Sequence, residues 1–427
     1  MTNVADAAPV PGRAQPPTRT SIRGLIAQTE IDLRLFGMLL ALGLILLTFQ
    51  ILSGGTFIRP TNMITLAVQA SGVAIIATGM VMVIVSRNID LSVGSLVGLV
   101  AMTYALLMTD WMPNVFGMGD DFPFRWAIAL GLGIGLGAGM GALQGFIIAY
   151  VGVPSFIVTL GGLLSIRGVV YYLSNGAAVS GLDPTFQLIG GGAQGSLGGT
   201  LTWALGIVGC IAIIGLLANG RRQRRRFGFP LRPMWAEVLI GGVGCAAIIG
   251  LSAFANANLW PKSLTGGLDV STGYPFPLML LIGVTLAMAW LATRRRFGRY
   301  VYAYGGNPDA ADLAGINTRW TILKTYVLMG VLCALAAAIA SARLNGSTLD
   351  VGQSYELYVI AAAVVGGTSF AGGIGSIPGA VLGAFVMQSL AYGLSYMGVN
   401  SPGQNVVAGI VLILAVGFDT YNRRRGS

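Results

Sequence analysis

An all-α, polytopic helical membrane protein of about twelve segments is the fold class this sequence predicts, on three observations. Only 9% of its 427 residues are charged and 55% are hydrophobic, against roughly 25% charged in an ordinary soluble domain. Apolar runs near the ~20 residues needed to cross ~30 Å of hydrocarbon recur along almost the whole chain. The remaining Lys and Arg residues gather in short clusters between the runs, so the net charge of +10 carries topology and argues against nucleic-acid binding. A mean hydropathy of +0.76 agrees. The 64 glycines suit helices that must approach closely within lipid.

Residues 1–34 are polar and rich in Pro, Ala, Thr and Arg, without the apolar stretch of a signal peptide, and predict a disordered cytoplasmic tail. Predicted segments then run 35–53, 64–86, 92–110, 126–151, 155–173, 201–218, 235–254 and 276–293. After a polar interval at 294–317 come 322–342, 358 to about 369, 377–397 and 406–418, so the membrane domain extends over 35–420. Residues 421–427 form a basic cytoplasmic C-terminus.

Charge gives an independent test of this threading. With the N-terminus inside, Arg221, Arg222, Arg224, Arg225, Arg226 and Arg232 fall inside, as do the Arg294 cluster and Arg423, Arg424 and Arg425. Asp110, Asp120, Asp121, Asp183, Asp269, Asp350 and Glu356 fall outside. That asymmetry is the positive-inside pattern, and it predicts a multi-pass cytoplasmic-membrane protein with both termini cytoplasmic.

Several chemistries drop out. The chain has no histidine, which removes His-based metal sites and Ser-His or Cys-His nucleophile pairs. Cys210, Cys245 and Cys333 lie in apolar runs without ligand spacing, so no metal and no cofactor is expected. Gly131, Gly133, Gly135, Gly137 and Gly139 resemble a dinucleotide fingerprint, yet they sit inside an apolar span and predict a helix-packing face.

Two segments look broken. SRNIDLSVGS at 86–95 and GGTSFAGGIGSIPG at 366–379 share one plan, an apolar approach, a short Gly/Ser break and an apolar departure. Interrupted helices near the midplane can build a transport site; the same residues would equally serve as tight cytoplasmic turns. Asp90 lies at the first break and Arg167 inside the fifth span. An Arg near a helix centre costs on the order of 2.5–3.5 kcal/mol on insertion scales, so Arg167 should face a cavity, a partner such as Asp90, or the interface by snorkelling. Asp90 has its own alternative, capping the helix that begins at Leu91.

The interval 294–317 holds the most local information. Asn307-Pro308-Asp309 reads as a helix N-terminus, with Asn capping, Pro at the first helical position and Asp at the positive end of the dipole. Gly315 suits the left-handed residue that closes it. A helix of roughly two turns would thus offer Ala310, Ala311, Leu313 and Ala314 as a small apolar docking surface on the cytoplasmic side. No G-x-x-x-x-G-K-[ST] occurs, and no soluble stretch could hold a catalytic domain. The chain is therefore expected to be no enzyme and to draw on a partner for energy.

At these residues the sequence closely resembles permease subunits of bacterial ABC importers for monosaccharides, the ribose, xylose, arabinose and galactose group. The resemblance is carried by ATGMVMVIVSRNIDLSVGSLVGL (77–99), RRFGRYVYAYGGNPDAADLAGIN (295–317) and ELYVIAAAVVGGTSFAGGIGSIPGAVLGA (356–384). It implies two ATPase subunits, a periplasmic sugar-binding protein and a second permease subunit, in contact with membrane lipid. It places Gly305, Gly306, Asn307, Pro308, Asp309, Ala311, Leu313 and Gly315 in an ATPase-coupling loop; Asp312 departs from the family's pattern. It places Asn88, Asp90, Leu91, Ser92, Gly366, Gly367, Thr368 and Ser369 near the translocation pathway, with Arg167 as a further candidate. Shorter members have ten spans; the pair at about 201–254 is an insertion that makes the layout similar to xylose-type permeases and tilts the substrate toward a pentose. Outside this family, an ion-gradient-driven sugar transporter working through Asp90, or a passive channel, would also fit the bare residues.

Overall fold

A computed structural model describes residues 33–119, 122–192, 194–263 and 265–426, with side chains of 33, 415 and 418–426 excepted. Residues 1–32 of the predicted tail and the predicted outside acids Asp120 and Asp121 lie outside the described residues, while Leu33 and Arg34 open the first helix in place of ending a tail. Most of the described residues are helical. Its helices are α1 Leu33–Leu52, α2 Pro60–Val85, α3 Val93–Leu106 with a π-helical extension Leu107–Val115, α4 Arg125–Phe146 with a π-helical turn Ile147–Val151, and α5 Ser155–Ser174. Next come the short α6 Pro184–Gln187, then α7 Gly198–Arg226, α8 Met234–Asn256 and α9 Phe276–Arg294. Two helices without a membrane-length run follow, α10 Arg296–Gly306 and α11 Pro308–Leu313. The last four are α12 Thr318–Leu344, α13 Tyr355–Val365, α14 Ile377–Tyr396 and α15 Ser401–Gly426. One two-stranded antiparallel ladder pairs β1 Val179–Ser180 with β2 Gly346–Ser347.

Ten of these helices are long and apolar enough to span a membrane, and α13 and part of α15 are shorter apolar helices. The tenth predicted segment is therefore corrected. At 11 residues, α13 is only ~16 Å long, and it stops at Gly366-Gly367, where Gly367 takes φ +95°. Residues 345–354 precede it and carry Asp350, expected outside. Their carbonyls instead lie against Gly94, Gly98 and Arg167, residues inside α3 and α5. The stretch 345–365 is half irregular chain and half helix.

The chain divides into two compact units. The larger holds residues 34–205 and 251–427. At its centre α2 and α3 are buried on all sides, which their uniformly apolar surfaces permit; α12 packs against both, and against α4. Glycines set that last contact. A Cβ on Gly137 would strike the Gly330 carbonyl and one on Gly141 the Tyr326 carbonyl, with Gly145 against Tyr326 and Leu323; on the same face, one on Gly133 would strike the Tyr104 ring of α3. Gly131, Gly135 and Gly139 have nothing within 4 Å. The predicted glycine face is thus turned: at 3.6 residues per turn, spacing of four keeps one face and spacing of two does not. Leucine at Gly330 must push α12 away from Gly137, at about 1–3 kcal/mol. Thermal unfolding of purified Gly330→Leu should begin well below that of the parent, with Gly135→Ala unchanged.

The smaller unit contains Gly206–Gly250, from α7, α8 and their connection. Gly209 meets Ile248, Gly244 meets Ile213, and Arg221 pairs with Glu237 at 2.8 Å while its Nη1 also donates to the Arg232 carbonyl. Cys210 and Cys245 each lie within 3.9 Å of the other's carbonyl oxygen, filling space as small apolar side chains do.

Candidate functional site

The residues singled out by sequence fall in two places, one at the end of the bundle that carries α10 and α11, the other between α3, α5 and α13. At the first, α11 is built as its sequence dictates. Asn307 Oδ1 accepts from the Ala310 amide at 3.1 Å, Pro308 occupies the first turn with Asp309, and Gly315 closes the helix at φ +75°. Of the expected apolar surface, Ala311 is buried against the body while Leu313 is 91% exposed, with Ala310, Ala314, Asp309 and Asp312 exposed around it. An isolated, fully projecting leucine flanked by acids has no packing role within this chain.

Gly305 and Gly306 do something different. Gly305 is buried, and a Cβ there would collide with the Val85 carbonyl at the end of α2 and with the Gly373 amide. The Gly373 amide donates to the same Val85 oxygen at 3.0 Å. Arg87, in a left-handed conformation at φ +60°, donates from Nε to the Gly305 carbonyl at 2.7 Å and from Nη2 to that of Gly306 at 2.9 Å. A guanidinium is thereby placed on the negative end of α10, where both charge and hydrogen bonding favour it. Tyr302 donates its hydroxyl to the Gly375 carbonyl at 2.9 Å. Burial, and secondarily Asp312, push the Tyr304 phenol up against the opposing pull of Arg87, which puts Asp312 within electrostatic reach of the joint.

The 366–376 break is therefore a turn at this end of the bundle, and the end of α2, that turn and α10 form one hydrogen-bonded joint. Thr368 and Ser369 are buried in the turn, with Ser369 Oγ accepting from the Ala371 amide at 3.3 Å. A Cβ on Gly366 would meet Gly379 at the start of α14, and Gly367 offers its carbonyl to Arg34 Nη1 at 3.0 Å. Sequence reasoning passed over Arg87 and Tyr302. A basic residue in a break with almost no loop length was the available signal for the first.

Between α2 and α3 the chain turns back within the bundle. Asn88 Nδ2 donates to the Ser86 carbonyl at 2.8 Å, and the Ile89 carbonyl accepts from the Thr159 and Tyr326 hydroxyls, each at 3.3 Å. Asp90 Oδ1 accepts from the Ser92 amide at 2.9 Å and the Ser92 hydroxyl at 2.7 Å. This ties a turn ahead of α3, which starts at Val93 with Ser92 at its cap position; the helix does not begin at Leu91.

Arg167 and Asp90 are not partners. Arg167 Nη1 donates to the carbonyls of Leu349 at 2.9 Å and Val351 at 3.2 Å, in the irregular segment before α13. Asp90 is satisfied locally by Ser92, and the turn leaves it no reason to reach α5. Glu356, expected outside, instead stands at the first turn of α13 beside α3, where it feels the Arg167 charge. No group of three or more His, Cys, Asp or Glu could hold a metal among the described residues.

Residues 62–416 match the family model described as the permease component of branched-chain amino acid transport systems. The chain belongs to that family. Among curated proteins, this permease is 37% identical over 399 residues to the xylose transport system permease protein XylH of Haemophilus influenzae, covering 93% of this chain and 98% of the relative. It is equally 37% identical to XylH of Escherichia coli K12, over 96% of each chain. It is 30% identical to the galactose/methyl galactoside import permease protein MglC of Escherichia coli K12, over 90% of this chain and 93% of that one. The family description names amino-acid systems, whereas these full-length relatives are named for sugars. No solved structure matches the chain significantly.

Proposed function

We propose that this permease is the membrane-spanning subunit of an ATP-driven ABC importer that moves a monosaccharide, a pentose such as xylose first among them, across the bacterial cytoplasmic membrane. ATP is hydrolysed by two copies of a partner ATPase bound below α11, a periplasmic binding protein delivers the sugar, and a second permease subunit completes the pore. Both termini are cytoplasmic. The observation that carries the reading is α11, which presents Leu313 at 91% exposure while Arg87 and Tyr302 fasten its neighbour α10 to α2 and to the turn after α13. A push on α11 therefore reaches the helices at the core. The sugar follows from the relatives' names, and the need for a partner from a sequence without a P-loop. The ion-coupled reading worked through Asp90, and Asp90 is 2% exposed and closed by Ser92.

The test is uptake of D-xylose into proteoliposomes holding the permease, its ATPase and its binding protein. Uptake should require ATP inside and binding protein outside. Uptake driven by a sodium or proton gradient with no ATP present would overturn the reading.

A further inference from the structure

Arg167 and Glu356 place full charges where the bundle is otherwise apolar, and what surrounds them is built around backbone. On α3, Gly94 and Gly98 lie one turn apart on the same face. A Cβ on Gly94 would run into the Gly352 carbonyl and Glu356 Oε2; one on Gly98 would lie 2.8 Å from the Val351 carbonyl and 3.4 Å from Arg167 Nη1. Two missing side chains thus make a trough into which a carboxylate, a guanidinium and two peptide carbonyls are set.

The segment laid in that trough is neither helix nor sheet. From Thr348 it advances by successive turns, Val351 amide to Thr348 carbonyl, Gln353 to Asp350 and Tyr355 to Gly352, with Gly352 at φ +75° and Ser354 at φ +61°. Irregular backbone at membrane depth persists only where protein covers it or water reaches it. Here Asp350 and Gln353 are exposed, and Arg167 and Glu356 are half-buried. Arg167 spends only Nη1 on the two carbonyls; among the described residues its Nε and Nη2 have no hydrogen-bond partner, and neither is a buried orphan. A guanidinium with accessible donors beside an accessible carboxylate faces an aqueous path and not lipid.

Building on the proposed import function, we infer that Arg167, Glu356, Gln353 and the carbonyls of Leu349, Val351 and Gly352 form a contact site for a neutral polyhydroxylated solute midway along its path. The chemistry matches the cargo. Each sugar hydroxyl both donates and accepts, and a planar fork of donors beside a carboxylate engages adjacent hydroxyls by charge-assisted hydrogen bonds without requiring charge on the solute. Such contacts replace the water that the sugar leaves behind. Arg167 has a second duty as a positioning residue, because Nη1 holds the segment that carries the other groups.

The reconstituted complex distinguishes this site from a structural brace. In Glu356→Gln, which keeps the shape and removes the strong acceptor, D-xylose delivered per ATP hydrolysed should fall about tenfold, the loss of one charge-assisted hydrogen bond. Stimulation of hydrolysis by the binding protein should stay within twofold. Arg167→Lys should show the same split, since an ammonium lacks the fork. Transport per ATP unchanged in both variants, or hydrolysis falling in parallel with transport, overturns the site. Gln353→Cys supplies a check that survives misfolding of either charge variant. A membrane-impermeant thiol reagent should label it, with peptide mapping to separate Cys210, Cys245 and Cys333, and millimolar D-xylose should slow the labelling; absence of labelling, or labelling indifferent to the sugar, counts against the site. A parent complex that needs no ATP defeats the import reading itself, whereas a normal ATP-dependent parent with normal variants defeats only this site.

Discussion

Arginine at both Asp309 and Leu313 should abolish capture of the ATPase by the purified permease, weakening it at least about 30-fold. That factor corresponds to the ~2 kcal/mol of a single interface hot spot, and Leu313 has the attributes of one: an apolar side chain 91% exposed on a helix whose opposite residue, Ala311, is buried against the body. The Asp309 exchange reverses a charge at the positive end of α11, a local loss of only ~0.3–1 kcal/mol. Membrane insertion and unfolding temperature should thus stay near the parent's while sugar uptake disappears. Pull-down with the tagged ATPase reads the first effect and proteoliposome uptake the second. Normal capture by the double variant would mean that α11 is not the docking element.

Valine at Gly305 should produce the complementary failure. Its side chain would have to occupy the space of the Val85 carbonyl and the Gly373 amide, so α10 must lift from α2 and from the turn that follows α13. Overpacking of this kind costs about 1–3 kcal/mol, and Arg87 loses its geometry to both terminal carbonyls of α10. Because the surface of α11 is untouched, the ATPase should still bind and hydrolyse ATP, while uptake per ATP drops by an order of magnitude or more. Gly306→Ala is the control, since nothing lies within 4 Å of a Cβ there. Equal behaviour of the two variants would show that the joint transmits nothing.

Most of the helices, and the cap of α11, were legible because each rests on a local signal: an apolar run of bilayer length, or Asn-Pro-Asp ahead of small residues. The re-entrant segment was not. Asp350 and Glu356 read as members of an outer loop, and only tertiary contacts with Gly94, Gly98 and Arg167 set their segment against α3 and α5. The same limit explains the Asp90–Arg167 pairing that does not form: opposite charges in apolar surroundings suggest each other, yet Ser92 and two peptide carbonyls are nearer. Composition showed that glycine mattered in α4. Which four glycines mattered depended on the face α12 would take.

The burial of α2 and α3 on all sides has a consequence for how the protein is made. Each is inserted early, yet α12, which covers both, leaves the ribosome more than 200 residues later. Until then the faces of the two helices that α12 will cover stand in lipid. Their near-uniform apolar surfaces, which look wasteful in the finished bundle, let them wait there without penalty, and association follows through close packing and not through escape from water. The polar turn between them, from Asn88 to Ser92, is the part that cannot wait comfortably. Its local hydrogen bonds, Asn88 to Ser86 and Ser92 to Asp90, satisfy part of it early, while Ile89 waits for Thr159 and Tyr326.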